Sequence, residues 1–330
     1  MNDDFFRLPL GEWVNVAVDW VTENLGFFFD FIRSIFGGLY AAADWLFVTP
    51  PFWVVIVVLA GLSWYLRGWR FGAGVAVGLL VIMSVNQWEN AMDTLALTIV
   101  SAFIAVVISV PLGIWAARSD KVSRAIKPML DFLQTMPAFV YLIPAIILFR
   151  VGVVPGIVAT IAFSMAPGVR LTELGIRGVD KEVVEAGHAF GASPRRILAQ
   201  IQLPLARPSI MAGINQVIML SLSMVVIASM VGAPGLGRPI IQALSRIDVG
   251  LGFEAGLAVV ILAIILDRLT ASFGAGRRKA PSKASLRSSV VATSAENATS
   301  ASGEAPAPSP MDAAQPPIAR VTASGGKETI

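Results

Sequence analysis

The residues of this sequence best suited to hydrogen-bond to a small molecule are polar residues within apolar stretches. Gln134 and Thr135 stand within one apolar run, and Gln216 and Ser223 share one face of a later run. Polar groups at membrane depth generally face the interior of a helix bundle, where they can hydrogen-bond to a passing molecule. The residues predicted to line a translocation pathway through such a bundle are Gln134, Thr135, Pro137, Phe139, Tyr141, Gln216 and Ser223.

Two prolines, Pro137 and Pro144, interrupt the apolar run Met129–Phe149. Each removes a backbone hydrogen bond from a helix, and such breaks are tolerated where neighbouring helices or a water-filled cavity satisfy the freed carbonyls. The run is therefore predicted to be a span that is broken twice. Its aromatic residues could also cage a quaternary ammonium cation. Aromatic side chains in membrane helices, however, more commonly pack against other helices or lie at interfaces.

A second segment, Glu185–Pro204, contains helix-capping and helix-ending residues that predict two short helices joined by a rigid corner. Asp180 is predicted to cap the first helix, and Gly191 to end it in a left-handed conformation. Ser193 is predicted to cap the second helix, and Pro204 to stop it. So sharp a corner between apolar segments predicts a surface that holds another protein.

This passage resembles the EAA loop of permease subunits of ATP-binding cassette importers. The matching residues are Glu185, Ala186, Gly191, Ile201, Leu203 and Pro204, and Gly187 stands where the family more often has Ala. The resemblance implies an all-α integral membrane protein with a type I ABC importer permease fold and a cytoplasmic coupling loop, residues 175–207. It also implies three protein partners: a separate ATP-binding cassette ATPase, an external (periplasmic or lipid-anchored) substrate-binding protein and a second permease copy. The helical bundle itself would be surrounded by membrane lipid.

The proline-rich run resembles the permeases of glycine betaine, proline betaine and choline importers. The residues that carry this resemblance are Gln134, Thr135, Pro137, Phe139, Tyr141, Leu142 and Pro144, and the similarity extends over roughly 93–267. It implies glycine betaine as the first expected cargo, with choline or another small solute as the alternative. A stand-alone secondary transporter is an alternative of another class, but it would be expected to carry intramembrane acids for ion coupling. Asp131 and Glu173 lie near the ends of spans and are poor candidates for that role.

No pattern in the sequence supports catalysis by the chain itself. A Gly-x-x-x-x-Gly-Lys-Ser/Thr phosphate loop is absent, and so is cysteine, which excludes disulfides and thiol chemistry. We therefore expect no catalytic residue, no metal site and no cofactor here, with ATP and Mg²⁺ bound by the partner ATPase. The net charge of +3 reflects basic residues that set topology and does not indicate nucleic-acid binding.

The composition is that of a multi-pass membrane protein. Hydrophobic residues make up 55% of the 330 and charged residues 14%, against about 25% charged in soluble domains. About seven spans are expected, with six or eight as alternatives. The predicted spans are Phe52–Leu66, Phe71–Val85, Thr94–Ala116, Met129–Phe149, Val153–Val169, Ser209–Val231 and Leu251–Leu269.

Lys and Arg are concentrated on one side of these spans, chiefly within 118–127, 170–207 and 268–279. Because basic loops stay in the cytoplasm, the sequence predicts an external N-terminus, a cytoplasmic C-terminus and a cytoplasmic coupling loop. The expected location is the bacterial cytoplasmic (inner) membrane.

The two ends of the chain differ from its middle. Residues 1–50 are predicted to form an amphipathic helical segment on the outer leaflet, broken at Gly37-Gly38, because burying Asp30, Arg33 and Asp44 in lipid would cost about 2.5–3.5 kcal/mol each. An extra span is the alternative. Residues 51–92 should form two spans, residues 93–273 the permease core, and residues 274–330 a disordered cytoplasmic tail.

Overall fold

Every regular element in the described part of the chain is a helix. The structure is a computed structural model that describes residues 10–274. The predicted tail and the first nine residues lie outside the described residues. The elements are α1 (Leu10–Val48), α2 (Phe52–Arg67), α3 (Trp69–Ser84), α4 (Trp88–Arg118), α5 (Asp120–Thr135), α6 (Ala138–Phe149), α7 (Val153–Arg177), α8 (Lys181–Ala189), α9 (Pro194–Ile197), a π-helical turn (Leu198–Gln202), α10 (Leu203–Ser223), α11 (Val225–Ser229), α12 (Gly237–Arg246) and α13 (Val249–Gly274).

The centre of the fold is a tight bundle of α4, α7 and α10. Ser109 of α4 faces Gly168 of α7, and one turn later a Cβ placed on Gly113 would lie 2.6 Å from the Cβ of Thr172. The contacts occur in the same order along both helices, so α4 and α7 run side by side in the same direction. Small residues at these crossings let the backbones approach closely, which is how membrane helices associate without a hydrophobic driving force.

Five of the described helical runs are long and apolar enough to cross a bilayer: Gly11–Val48, Trp88–Arg118, Val153–Arg177, Pro194–Ser229 and Val249–Ser272. The bent pair α5–α6 would make a sixth, and α2 and α3 are shorter apolar helices of 16 residues each. A span of typical thickness needs roughly 20 residues. Each of the seven predicted apolar segments is largely helical in the structure. Met129–Phe149 breaks between Thr135 and Ala138, and Ser209–Val231 is interrupted at Met224 and ends in a turn after Ser229.

The predicted double break of Met129–Phe149 is only half right. The chain breaks once, between Thr135 and Ala138, where α5 and α6 meet at 101°. Pro144 lies inside α6, which continues through it. Leu142 and Ala145 beside it are buried, so packing holds α6 together despite the missing backbone donor.

Helix α1 lies across the ends of three other helices. The Phe29 ring is 5.5 Å from the ring of Phe149, the last residue of α6, and the Asp44 carboxyl group lies close to that of Asp93 in the second turn of α4. Phe29 and Asp44 are 15 positions apart, about 22 Å along a helix, yet both contacts are at the same end of the bundle. The helix is also continuous through Gly37-Gly38, where the sequence predicted a break.

The crossing with α7 explains that continuity. A Cβ placed on Gly37 would lie 3.8 Å from Val154 Cγ2, at the start of α7. Phe36, Tyr40, Ala43 and Phe47 pack against the main core cluster around this point. Tertiary contact therefore offsets the low helix propensity of the two glycines.

Candidate coupling corner and translocation site

The segment from Asp180 to Pro204, called here the docking corner, lies at the end of the bundle opposite to α1. Asp180 Oδ1 accepts a hydrogen bond of 3.0 Å from the backbone N–H of Glu182, which caps α8. Gly191 has φ +74°, a conformation that favours glycine. Both features agree with the sequence prediction.

The second half of the docking corner differs from the prediction. Ser193 precedes α9, but its hydroxyl makes no capping hydrogen bond. Pro204 does not end a helix; it lies where the π-helical turn passes into α10, inside the helical run Pro194–Ser229. The π-helical turn Leu198–Gln202 joins α9 to α10, and such turns are frequent at functional sites.

Close packing inside the docking corner explains its shape. Ile197 is buried, and a Cβ on Gly187 would lie only 2.8 Å from Ile201 Cδ1. Gly187 therefore lets α8 pack directly on α9 and the π-helical turn. A small residue at position 187 suits this contact, because a larger side chain would have to displace Ile201 and Ile197.

The outward side of the docking corner is exposed to solvent. α8 has no buried residue, Glu185 and Ala186 are exposed, and Phe190 at the tip is 92% exposed. A cavity of about 310 Å³ opens beside α8 and is lined by residues that include Arg177, Lys181, Glu185 and Gln202. The solvent-exposed face of α8, with Phe190 at one end and a cavity beside its first two turns, is a surface suited to a protein partner. The sequence analysis assigned no role to Phe190.

The predicted pathway residues fall on two separate elements. Gln134 and Thr135 end α5, with Pro137 and Phe139 just beyond, and all four are exposed. Gln216 and Ser223 are exposed residues of α10, whereas the neighbouring Val217 is buried. Thr135 and Ser223 donate only to carbonyls of their own helices, at 3.2 and 3.0 Å.

Tyr141 differs from the other predicted pathway residues. Its ring is buried with Leu142, Ala159 and Met224 in a small core cluster, and its hydroxyl donates to the backbone carbonyl of Leu133. This hydrogen bond crosses the bend between α5 and α6. Tyr141 therefore braces the bend, and its ring is not presented beside exposed Phe139 as one wall of an open aromatic cage.

Comparison with known proteins agrees with this geometry. Residues 109–279, which include the bend and the docking corner, match the family described as "Binding-protein-dependent transport system inner membrane component". The chain belongs to this family. It is a transport permease and a multi-pass protein of the inner membrane, and the resemblance inferred from the sequence motifs is confirmed.

Two relatives show how far the likeness extends. The permease is 51% identical over 270 residues to glycine betaine/carnitine transport permease protein GbuB of Listeria monocytogenes serotype 1/2a (strain 10403S), covering 81% of this chain and 95% of GbuB. It is 45% identical over 278 residues to glycine betaine/proline betaine transport system permease protein ProW of Escherichia coli (strain K12), covering 82% of this chain and 77% of ProW.

A solved structure confirms the fold. The MetNI methionine ABC transporter, in inward-facing conformations, contains a chain that matches with a TM-score of 0.52 at 22% identity, covering 57% of this permease and 95% of that chain. The predicted all-α, type I ABC importer permease fold is therefore confirmed.

The structure also reveals contacts that the sequence analysis missed, along the seam between α5 and α7. We call them the polar ladder; its members are Asp120, Ser123, Lys127 and Asp131 of α5, and Arg170, Glu173 and Arg177 of α7. The two outer rungs are ion pairs: Arg177 Nη1 lies 2.7 Å from Asp120 Oδ1, and Arg170 pairs with Asp131.

The central rung of the polar ladder is Glu173, whose side chain is only 9% exposed. Its Oε1 accepts a hydrogen bond of 2.7 Å from the Ser123 hydroxyl and lies 3.0 Å from Arg177 Nε. Lys127 Nζ is 3.8 Å away. Spacing of three or four residues on both helices was visible in the sequence, but it identifies a ladder only when the two helices are known to be neighbours.

Proposed function

We propose that this permease forms the membrane pathway of an ATP-driven importer for quaternary ammonium solutes, with glycine betaine as the first cargo. The observation that carries the proposal is the 51% and 45% identity, over about four-fifths of the chain, to permeases named for glycine betaine. The Gln134–Pro144 run that resembled such permeases is the run that forms the bend in this structure. Choline or another small solute is the alternative cargo within the same architecture.

The docking corner is the proposed contact for the ATPase. It supplies a capped helix, a left-handed glycine and an exposed phenylalanine at one tip, held on a short link to α7. ATP and Mg²⁺ are bound by the ATPase in this proposal, and the permease is not an enzyme. Closure of two ATPase subunits would displace α8, and alternating access of the pathway would follow.

A second permease copy is proposed to cover the exposed face of α10. Gln216 and Ser223 lie on that face, and polar side chains within membrane spans almost always face a bundle interior or a water-filled cavity. A homodimer with the pathway between its copies provides both. Because the chain has no cysteine, Gln216→Cys can be cross-linked without background: covalent dimers support the proposal, and monomers alone reject it.

The proposed orientation places the docking corner in the cytoplasm and α1 outside. Basic residues cluster at the docking-corner end of the bundle, and cytoplasmic loops carry such clusters. α1 crosses the other end and exposes Trp13, Trp20 and Phe27, which suits a helix lying in the outer interface beneath an external substrate-binding protein. In this arrangement α2 and α3 are the two N-terminal spans, residues 93–273 are the core, and the tail is cytoplasmic.

The experiment that tests the cargo is solute-stimulated ATP hydrolysis by the reconstituted complex. The permease, its ATPase and its binding protein are assembled in lipid nanodiscs, and ATP hydrolysis is measured with glycine betaine, choline or an unrelated amino acid. Stimulation by glycine betaine supports the proposal. Stimulation only by an unrelated solute rejects the cargo and leaves the transporter class unchanged.

A further inference from the structure

Glu173 is the most unusual charged group in the described part of the permease, because a carboxylate is held almost completely away from solvent at the α5–α7 seam. A buried carboxylate is stable only when cations and hydrogen-bond donors surround it. Ser123, Lys127 and Arg177 surround Glu173, and two of these three residues belong to α5. The buried charge therefore fixes α5 against α7, because sliding α5 by one turn would remove Ser123 and Lys127 and leave only Arg177, on the same helix as Glu173, beside the carboxylate.

One end of the polar ladder leads directly to the docking corner. Arg177 is the last residue of α7, and Asp180, the cap of α8, follows after Gly178 and Val179. Arg177 Nη2 also donates a 2.8 Å hydrogen bond to the carbonyl of Ala116, in the last turn of α4. A displacement of α8 therefore acts on the same residue that holds Glu173 and the end of α4.

The other end of the polar ladder leads to the bend. Asp131, paired with Arg170, is one helical turn before Thr135, the last residue of α5. The next contact across the bend is the hydrogen bond from Tyr141 to Leu133. A continuous series of contacts thus joins α8 to the exposed polar residues Gln134 and Thr135.

We propose that Glu173 is a positioning residue that locks α5 to the α7 end nearest the docking corner, so that the docking corner and the bend move as one body. It does not contact the cargo; it acts by fixing where α5 and its terminal polar residues stand. This inference rests on the proposed function only in taking the docking corner as the place where the ATPase acts.

The direct test is a distance measurement that needs neither cargo nor ATPase. Gln134→Cys and Ala189→Cys are introduced into the cysteine-free permease and spin-labelled in nanodiscs. The distance distribution between the two labels is measured by pulsed electron spin resonance, with and without Glu173→Gln, an isosteric change that removes the charge. Lys121→Gln is the matched control, since Lys121 is an exposed cation on another face of α5. A narrow distribution that broadens with Glu173→Gln and not with the control is expected.

Transport supplies the second readout. In the assembled complex, Glu173→Gln should lower the solute imported per ATP hydrolysed by about tenfold, a typical size for coupling between sites, and Lys121→Gln should not. Loss of fold alone would instead lower the yield of assembled complex without changing that ratio. The double charge reversal Asp131→Arg with Arg170→Asp should restore coupling that each single reversal weakens.

Two results would overturn the inference. An unchanged distance distribution in Glu173→Gln would show that Glu173 does not hold α5 in place. This conclusion does not depend on which solute the complex imports, or on whether it imports one at all. If Glu173→Gln does not fold, the single and double charge reversals at the exposed rung give the same test. Failure of the double reversal to narrow the distribution relative to the singles would then reject the polar ladder.

Discussion

Gly191 offers the sharpest test of the docking corner, because its requirement for glycine arises from the backbone alone. Its φ is +74°, and a Cβ placed there would meet no atom within 4 Å. The cost of Gly191→Ala is therefore conformational strain, about 1–2 kcal/mol for an L-residue in the left-handed region. Gly191→Val should cost more because of β-branching, and Gly191→Asn less, since asparagine tolerates this conformation.

The strain converts into a binding prediction. If the ATPase binds only the native shape of the docking corner, a penalty of 1–2 kcal/mol raises the apparent Kd by a factor of about 5–30. The assay is titration of the purified ATPase onto immobilised nanodiscs that contain the permease. The order of Kd should be Val above Ala, Ala above Asn, and Asn near wild type.

The matched control is Gly61→Ala in α2, an exposed helical glycine that also has open space around its would-be Cβ. It should leave the Kd unchanged. Equal affinity of the Val, Ala and wild-type proteins would refute the reasoning, because it would show that the backbone conformation at Gly191 does not affect ATPase binding.

Three further predictions concern topology, packing and the bend. Epitope tags within 181–200 or at the C-terminus should be inaccessible in intact cells, and labelling without permeabilisation would reverse the proposed orientation. Gly113→Ala should lower the free energy of unfolding of the permease by about 1–3 kcal/mol, because the added methyl overpacks α4 against α7. Gly256→Ala, with open space around it, should not lower it. Equal melting temperatures of the two variants would contradict the packing. Tyr141→Phe should lower the free energy of unfolding by about 1 kcal/mol, because it removes the hydrogen bond to Leu133. A stability equal to wild type would show that this hydrogen bond does not brace the bend.

The sequence was sufficient where local chemistry decides the structure. Asp180 and Gly191 were predicted correctly because a cap and a left-handed residue depend on their own backbone and their immediate neighbours. The break at Pro137 was also visible, since proline removes a donor wherever it falls. The membrane segments followed from apolar length.

The sequence was insufficient where contacts between distant segments decide. Pro204 was predicted to stop a helix, but the π-helical turn Leu198–Gln202, on which Gly187 packs, runs on into α10. Glu173 was set aside as an acid near a span end, and its contacts with Ser123 and Lys127 became visible only when α5 was found beside α7. The path of α1 across the bundle likewise depends on contacts more than 40 positions away in sequence.

The central claim is that this permease conducts its solute under the control of a separate ATPase. The most direct measurement is uptake of radiolabelled glycine betaine into proteoliposomes that contain the permease, with ATPase and ATP on the docking-corner side and binding protein on the other. Uptake should appear only when all three proteins and hydrolysable ATP are present, and the permease alone should hydrolyse no ATP. Uptake by the permease alone, driven by a sodium or proton gradient, would contradict the account.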